Sequence, residues 1–341
     1  MRGERVVVAM SGGVDSSVVA ALALEAGYEV EGVTLELRAG GDDGSAAAVC
    51  RQLGIEHHLL DRESEFRDRV IVPSARELAA GRTPNPCALC NPEFKFAELL
   101  NFASARGAKR LLTGHYARID AENRLRRGVD AAKDQSYFLY RLSREQLGRS
   151  GFPLGALTKE EVRRLASGFG LTSAERPDSQ DLCFGVPGEC GGETLRRLAG
   201  LPSRAGRFVY CGREVGRHEG IHRYTLGQRQ GLGVALGVPG YISSIDAASG
   251  DITLVTDASE LLSTGLVLSQ CVFAAPLPDH GRAAVRIRYR SPAVECEYSL
   301  LPDGRVEVRL ERPQRAVTPG QSGVLYSGDL VLGGGIIEET T

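Results

Sequence analysis

The sequence has no excess of positive charge. Its 341 residues include 41 lysines and arginines and 43 aspartates and glutamates, so any contact with a polyanion must come from local patches. No apolar run reaches the length that spans a bilayer, and the first strand-like run begins by Val6, which leaves no room for a targeting segment. We therefore expect a cytoplasmic protein that does not contact a membrane.

Cysteine is also scarce for a chain of this length. Eight cysteines are too few for a disulfide scaffold, and in a reducing compartment a clustered subset is more typical of catalysis or metal binding. Cys50, Cys271 and Cys296 fall in apolar patterns and are predicted to be buried hydrophobic residues. Repeats and low-complexity segments are absent. The chain is long for a single core, which favours two or three domains.

The strongest motif lies near the start of the chain, where a strand-like run is followed by AMSGGVDSS and then by a helix-like run. A tight strand-to-helix turn with paired glycines offers backbone N–H groups to a phosphate or pyrophosphate. Serine hydroxyls add donors, and Asp15 is suited to hold Mg²⁺ on bound phosphates. The turn lacks the lysine of the kinase-type loop and instead resembles the PP-loop of ATP pyrophosphatases. The predicted nucleotide-binding residues are Ala9, Met10, Ser11, Gly12, Gly13, Val14, Asp15, Ser16 and Ser17.

The first half of the chain alternates strand-like and helix-like segments. The strands are predicted at residues 5–10, 29–37, 56–60 and 110–113, with helices at 16–26 and 46–53. This order is typical of a doubly wound parallel α/β sheet, which binds ligands at the carboxyl ends of its strands. We therefore expect further nucleotide contacts near Leu35 and Gly114.

From about residue 206 the pattern changes to short alternating runs broken by glycine and proline. These runs lie at residues 206–210, 240–246, 252–256, 283–289, 294–300, 306–310 and 323–326. They predict β-rich modules that end in a small barrel. The expected domains are a catalytic α/β domain at residues 1–200, a central β-rich domain at 201–262 and a C-terminal β-barrel at 263–341.

A second strong motif, GRTPNPCALCNPEFKF, occupies residues 81–96. Its prolines predict a stiff loop, with no regular helix before about Pro92, that projects Cys87 and Cys90. A Cys-x-x-Cys pair on such a loop indicates chemistry more often than packing. Cys183, in the polar segment PDSQDLCFG, is a third candidate.

These segments occur in an order that resembles the MnmA family of bacterial tRNA-specific 2-thiouridylases. The matching motifs are AMSGGVDSS, GRTPNPCALCNPEFKF, TGHYAR, KDQSYFLY, DSQDLCFG, YTLGQRQGLG and RIRYRSPAVECEY, and they cover residues 6 to about 335. The resemblance implies that ATP adenylates the C2 oxygen of the wobble uridine in tRNAs for Lys, Glu and Gln. A sulfur nucleophile then displaces AMP.

The resemblance also implies roles for individual residues. Cys90 would act as nucleophile and Cys183 would carry a persulfide, so that sulfur release leaves a Cys90–Cys183 disulfide for a reductant to open. The expected partners are the tRNA anticodon stem-loop and a sulfur donor, either sulfide or a persulfide carrier protein, and the protein is expected to be a monomer. The tRNA-binding residues would be Asn85, Pro86, Cys87, Lys133, Asp134, Gln135, Arg288 and Tyr289.

The chain departs from the family at Cys87, where better-known members have an aspartate. Cys87, Cys90 and Cys183 resemble the trio of cluster-bearing tRNA thiolation enzymes, and three thiolates can hold a [4Fe–4S] cluster with one iron open to sulfide. We favour this interpretation over persulfide relay. Zinc, with Cys190 as fourth ligand, is a third option. The segment RAGGDDGS after Leu37 is also shorter than usual for the family.

Two other features bear on function. A strand over residues 285–290 would present Arg286, Arg288 and Arg290 on one face as a phosphate-binding stripe. Two alternative functions remain, namely another PP-loop synthetase that acts on a small acceptor and a non-catalytic RNA-binding redox sensor that holds a cluster.

Overall fold

A computed structural model describes residues 3–38, 43–176, 182–186 and 188–341. Within these ranges no helix combines the length and apolar character needed to cross a membrane. The chain divides into two compact units. The first comprises Met1–Phe66, Cys87–Asp181 and Asp329–Val331, and the second comprises Arg67–Pro86, Leu182–Gly328 and Leu332–Thr341. The domain boundaries expected at residues 200 and 262 rest on sequence texture and stay predictions.

The helices are short. In chain order they are α1 (Val14–Glu25), α2 (Ser45–Leu53), α3 (Glu63–Phe66), α4 (Val72–Ala79), α5 (Pro86–Cys90), α6 (Phe96–Ala105), α7 (Ser136–Leu139), α8 (Arg144–Gly148), α9 (Lys159–Gly168) and α10 (Gly191–Ala199). Additional π-helical turns occur at Arg67–Ile71 and Asn91–Lys95, and 3₁₀ turns occur at Pro153–Ala156, Ile221–Arg223 and Ala258–Leu261.

The strands lengthen toward the end of the chain. They are β1 (Arg5–Ala9), β2 (Glu29–Glu36), β3 (Glu56–Asp61), β4 (Arg110–Leu112), β5 (Ala117–Ile119), β6 (Leu125–Arg127), β7 (Ser150–Gly151), β8 (Gly206–Tyr210), β9 (Arg213–His218), β10 (Tyr241–Ile245), β11 (Ile252–Val255), β12 (Leu262–Phe273), β13 (His280–Arg286), β14 (Val294–Leu300), β15 (Val306–Arg315), β16 (Ser322–Ser327) and β17 (Leu330–Thr340).

The first unit is built on a parallel sheet in the order β3-β2-β1-β4-β7. Strand β1 is central and pairs on both sides, which explains why Val6, Val7 and Val8 are fully buried. The strand order reverses at β1, because β2 and β3 follow on one side and β4 and β7 on the other. This is the switch point at which such sheets bind ligands, and it confirms the predicted α/β class.

The β5–β6 hairpin of the first unit was missed by the sequence analysis. Each of its strands has three residues, and a segment this short and polar is typical of a loop. Strand β6 also pairs with β17 at Leu330. Arg118 and Arg126 form ion pairs with the Asp329 carboxylate at 2.7 and 2.6 Å. Within the hairpin, the Asp120 carboxylate also accepts from the Glu122 and Arg124 N–H groups and pairs with Arg124 and Arg126. Local and distant contacts therefore both support this hairpin.

The second unit contains two β structures, as predicted. A four-stranded sheet has the order β10-β11-β8-β9, and six antiparallel strands in the order β12-β15-β14-β13-β16-β17 close into a barrel through the β12–β17 pairing. The core of the barrel includes Leu268, Val285, Val306 and Leu325. Strands β12 and β17 escaped the sequence analysis because their irregular positions, Gln270 with φ +49° and the Gly333–Gly335 run, look like strand breakers.

The proline-rich segment is helical earlier than predicted. Helix α5 begins at Pro86 and continues through the π-helical turn Asn91–Lys95 into α6. The expectation of a loop up to Pro92 was wrong. Pro86 occupies the first position of α5, where a helix needs no N–H donor and proline is therefore tolerated. Cys87 and Cys90 therefore lie on a helical turn rather than on a projecting loop.

We expect Gly155→Ala to destabilise the first unit. Gly155 lies in the 3₁₀ turn Pro153–Ala156, and a Cβ atom there would stand 1.7 Å from the carbonyl oxygen of Ala117. Urea unfolding should show a loss of about 1–3 kcal/mol. The control Gly168→Ala, at the end of α9 with open space around it, should show no loss. Equal stability of the two variants would contradict this packing.

Candidate active site

The loop between β1 and α1 lies at the switch point of the sheet, and its own hydroxyl groups fix its shape. The Ser11 N–H donates to Ser16 Oγ at 3.2 Å, and the Ser16 and Ser17 hydroxyls donate to the Gly13 carbonyl at 3.2 and 2.8 Å. Gly13 is the N-cap of α1 and brings no side chain to the N–H groups of the first turn. A helix start without a side-chain cap is suited to bind an anion.

Two glycines allow other backbone segments to pack against this loop. Gly12 has φ +72°, and a Cβ atom on it would stand 1.8 Å from Ser45 Oγ and 2.9 Å from the Ala46 nitrogen at the start of α2. A Cβ atom on Gly114 would lie 3.1 Å from the Ser16 nitrogen and from Asp15 Cβ. The predicted residue Gly12 thus packs against the start of α2, and the predicted residue Gly114 packs against the first turn of α1.

Asp15 is held by two side chains that the sequence analysis did not select. Its Oδ1 accepts hydrogen bonds from the Tyr116 hydroxyl and the Lys159 ammonium group, each at 2.7 Å. Lys159 is the first residue of α9, where acidic residues are favoured and a cation is not. That misplaced charge, next to the capping residue Thr158, is the signal that could have identified Lys159.

Leu35 lies where a nucleotide base would be expected. The pairing of β1 with β2 ends at Ala9 and Val33. Strand β2 continues beyond this point, and Leu35, two residues after Val33, pairs with Leu60 of β3. The neighbouring Thr34 hydroxyl donates to the Met10 carbonyl at 2.9 Å. This bond ties the end of β2 to the start of the β1–α1 loop.

His115, next to Gly114, is a structural residue. Its ring packs against Phe96 and Phe152, and its Nδ1 lies 2.7 Å from the Thr113 hydroxyl. Desolvation, together with the nearby Lys95, lowers the pKa of His115 to about 3. The imidazole is therefore neutral at physiological pH and is unsuited to act as a general base.

Of the three cysteines predicted to be buried, Cys50 and Cys296 are buried and Cys271 is only half-buried. Desolvation raises the pKa of Cys50 to about 11 and that of Cys296 to about 12, which confirms that both are inert core residues. Cys87 is half-buried and Cys90 is buried, three positions apart on one face of α5 in the first unit. Cys183 is exposed and belongs to the second unit. Residues 178–181 of its motif lie outside the described residues.

The predicted tRNA-binding residues of the first unit have internal partners. The Asp134 carboxylate accepts from the N–H groups of Gly128 and Ser136 and from the Ser136 hydroxyl. Gln135 exchanges two hydrogen bonds with the Tyr116 backbone at 2.8 and 3.0 Å. Because the Tyr116 hydroxyl bonds Asp15, this segment supports the β1–α1 loop. Lys133, next to it, is half-buried.

Two predicted tRNA-binding residues of the second unit, Asn85 and Arg288, hydrogen-bond to residues within Ala316–Ser322. The Asn85 amide donates to Ser322 Oγ at 3.2 Å, and the Arg288 guanidinium donates to the Ala316 carbonyl and to Thr318 Oγ1. Tyr289 lies under the Arg286 guanidinium, 5.6 Å from the ring centre. Two separate stretches of sequence thus meet at one loop of the barrel. Pro86 follows Asn85 and opens α5.

The predicted arginine stripe does not form. Strand β13 ends at Arg286, and the Ser291 N–H donates to the Arg288 carbonyl in a turn just before Pro292. Arg286 donates to the Ser291 carbonyl, Arg288 holds the Ala316 loop, and Arg290 is exposed. The alternation of residues 285–290 predicts a strand that would include all three arginines. The strand ends at Arg286 instead, and the chain turns before Pro292, so Arg288 and Arg290 lie outside the strand.

Family models match three consecutive stretches of the chain. Residues 4–186 match a model described as tRNA methyl transferase HUP domain. Residues 199–256 match a tRNA methyl transferase PRC-barrel domain, and residues 263–337 match an aminomethyltransferase beta-barrel domain.

Curated relatives are similar over nearly the whole chain. The tRNA-specific 2-thiouridylase MnmA of Geotalea uraniireducens is 43% identical over 98% of this chain and 95% of its own length. Proteins of the same name from Trichlorobacter lovleyi and Roseiflexus castenholzii are 45% and 44% identical, over 98% of this chain and 97% and 99% of theirs. A solved 4-thiouridine synthetase–RNA complex with bound ATP aligns with a TM-score of 0.38 and 21% identity, over 58% of this chain and 50% of that chain. A likeness at that level does not bear on function.

We expect Gly12→Ala to weaken pyrophosphate binding. The added Cβ atom would displace the loop from α2, so the dissociation constant for inorganic pyrophosphate should rise at least about tenfold. Gly170→Ala is the matched control, because Gly170 also has a positive φ but nothing within 4 Å. Both substitutions place a side chain at a positive φ and therefore strain the backbone, but only Gly12→Ala also brings a Cβ atom into a clash with Ser45. Isothermal titration calorimetry measures the effect, and equal binding by both variants would contradict the role of the loop.

Proposed function

Because the chain belongs to the MnmA family of tRNA-specific 2-thiouridylases, we propose that it replaces the C2 oxygen of the wobble uridine of tRNA with sulfur, at the expense of ATP. The observation that carries this proposal is the β1–α1 loop, a glycine-lined helix start at the switch point of a parallel sheet. Such a site suits a pyrophosphate leaving group. The substrates would be the tRNAs for Lys, Glu and Gln.

The first half-reaction activates the base. The C2 oxygen of uridine attacks the α-phosphorus of ATP, pyrophosphate leaves, and the oxygen becomes part of an adenylate. The N–H groups at the start of α1 would hold the departing pyrophosphate, with Leu35 and Gly114 bordering the adenosine. Sulfur then adds at C2, and AMP departs with the original oxygen.

Asp15 and Lys159 supply the charges nearest to the loop. Lys159 pairs with Asp15 at 2.7 Å, so the ammonium group is positioned next to the turn that would bind phosphates. Mg²⁺ would enter with the phosphates of ATP, and Asp15 is the carboxylate of the loop that could contact it. Tyr116 keeps this carboxylate oriented.

The sulfur step depends on the cysteines. Cys87 and Cys90 share a face of α5, and together with Cys183 they would supply the three thiolates of a [4Fe–4S] cluster. When bound, the cluster would offer an open iron position to sulfide. In the relay alternative the terminal sulfur of a Cys183 persulfide adds at C2, Cys90 attacks the Cys183 sulfur, and a Cys90–Cys183 disulfide remains for an external thiol to reduce. The donor would be sulfide or a persulfide carrier protein.

The tRNA would contact separate parts of the chain. Asn85 and Arg288 contact Ala316–Ser322 in the second unit, where Tyr289 follows Arg288, and Lys133 lies beside Asp134 and Gln135 in the first. The anticodon stem-loop is the expected element, since a single-stranded loop lets the wobble base leave its stack at little energetic expense. We propose a monomeric enzyme with a catalytic domain at residues 1–200, a central domain at 201–262 and a tRNA-contacting barrel at 263–341.

Cys90→Ala and Cys183→Ala should each abolish 2-thiouridine formation. Adenylation precedes the sulfur step, so both variants should still release pyrophosphate in the presence of ATP and tRNA. Cys211→Ser is the control, because Cys211 is exposed, as Cys183 is, and lies outside the predicted trio. Mass spectrometry of digested tRNA and a coupled pyrophosphate assay give the two readouts. Full thiolation by either alanine variant, or pyrophosphate release without tRNA, would contradict the proposal and favour a small-molecule synthetase.

Metal analysis separates the two sulfur pathways. Protein purified without oxygen should contain about four irons and four acid-labile sulfides per chain if the cluster is present. Cys87→Asp restores the residue of the better-known family members. This variant should retain the fold but contain neither the iron nor the acid-labile sulfide. Metal-free protein that still thiolates tRNA would instead support the persulfide pathway. Zinc that is lost from Cys190→Ser would support the third option.

A further inference from the structure

Arg176 connects the β1–α1 loop to the segment that begins α2. Its Nη1 donates to the Gly12 carbonyl at 3.1 Å, and its Nη2 donates to Asp43 Oδ2 at 2.7 Å. Asp43 Oδ1 in turn accepts from the Ser45 N–H at 2.9 Å, and Ser45 packs against Gly12. The four residues form a closed set of contacts around one peptide group of the loop.

The backbone of Arg176 is itself held in place. Arg163 of α9 donates to the carbonyl oxygens of Ala174 and Arg176 at 3.1 and 3.4 Å. The same helix carries Lys159, which contacts Asp15. Helix α9 therefore supports the β1–α1 loop in two ways. Lys159 contacts the loop directly, and Arg163 holds the backbone of Arg176, whose side chain contacts the loop.

The charge of Arg176 is already balanced. Hydrogen bonds from Ser45 and then from Arg176 lower the pKa of Asp43 to about 2, so the carboxylate stays ionised throughout the physiological range. Two of the guanidinium donors of Arg176 are therefore engaged inside the protein, one on the Asp43 carboxylate and one on the Gly12 carbonyl of the loop.

The contact at the Gly12 carbonyl has a geometric consequence. In a trans peptide the C=O group and the following N–H group point in opposite directions, so a hydrogen bond to the Gly12 carbonyl directs the Gly13 N–H away from Arg176. Gly12 and Gly13 lack side chains that could restrict this peptide, and either orientation would otherwise be accessible. A fixed external donor removes that freedom before the anion arrives.

We propose that Arg176 is a positioning residue that presets the Gly12–Gly13 peptide for pyrophosphate, with Asp43 holding its guanidinium in place. This inference rests on the proposed function, because it requires the β1–α1 loop to bind the phosphates of ATP. Arg176 lies 164 positions from Gly12 in the sequence, and nothing in the loop motif itself points to it.

Calorimetric binding of three ligands tests the proposal. In Arg176→Ala the dissociation constants for ATP and for inorganic pyrophosphate should rise about tenfold, whereas that for adenosine should stay within about twofold. Arg176→Lys retains one donor and cannot bridge both acceptors, so it should recover part of the loss. Arg164→Ala is the matched control, because Arg164 is an exposed arginine of α9, and this variant should bind all three ligands as the wild type does.

The possible outcomes are distinct. Unchanged pyrophosphate binding by Arg176→Ala, while the wild type binds ATP and pyrophosphate, would overturn this inference and leave the proposed function intact. A parallel loss of adenosine binding would also overturn it, because general disruption of the site would then explain the result. A wild-type protein that binds neither ATP nor pyrophosphate would overturn the proposed function and this inference with it.

Discussion

One steric constraint governs the candidate active site: the backbone of the β1–α1 loop packs directly against other backbone segments. No side chain fits between Gly12 and Ser45, and a Cβ atom on Gly114 would lie only 3.1 Å from the first turn of α1. This packing restricts the loop, and the proposed anion site depends on it. Asp15 and the Gly12 carbonyl are then held by side chains from farther along the chain.

Burial alone does not decide which cysteines could take part in chemistry. A thiol in an apolar core has a raised pKa and rarely forms the thiolate that attacks or binds metal, as for Cys50 and Cys296. Cys90 is also buried, yet it lies on a short helix beside the half-buried Cys87. Cys183 is exposed, as Cys190 and Cys211 are. The proposed trio is therefore distinguished by its sequence motifs and not by its exposure.

The fold was predictable wherever the hydrophobic pattern is local. The buried run Val6–Val8 and the alternating segments of the barrel indicated their strands correctly. The pattern failed where glycine or proline plays an unusual part, as in the Gly333–Gly335 run inside β17 and at Pro86, which opens α5. It also failed for the β5–β6 hairpin, because its strands are only three residues long and polar contacts at Asp120 and Asp329 support them rather than a hydrophobic alternation.

The sequence by itself determined the glycine- and serine-rich motif after β1, the Cys87-x-x-Cys90 pair and the change from α/β to β-rich texture, because each depends on residues that are close neighbours in the chain. Only the tertiary structure decided how the loop is held. Tyr116, Lys159 and Arg176 reach it from 101, 144 and 164 positions away. Contacts over such separations depend on how the sheet and helices pack, and they leave no spacing that a single sequence can reveal. The motif predicts the anion site, and the fold supplies the contacts that hold the loop.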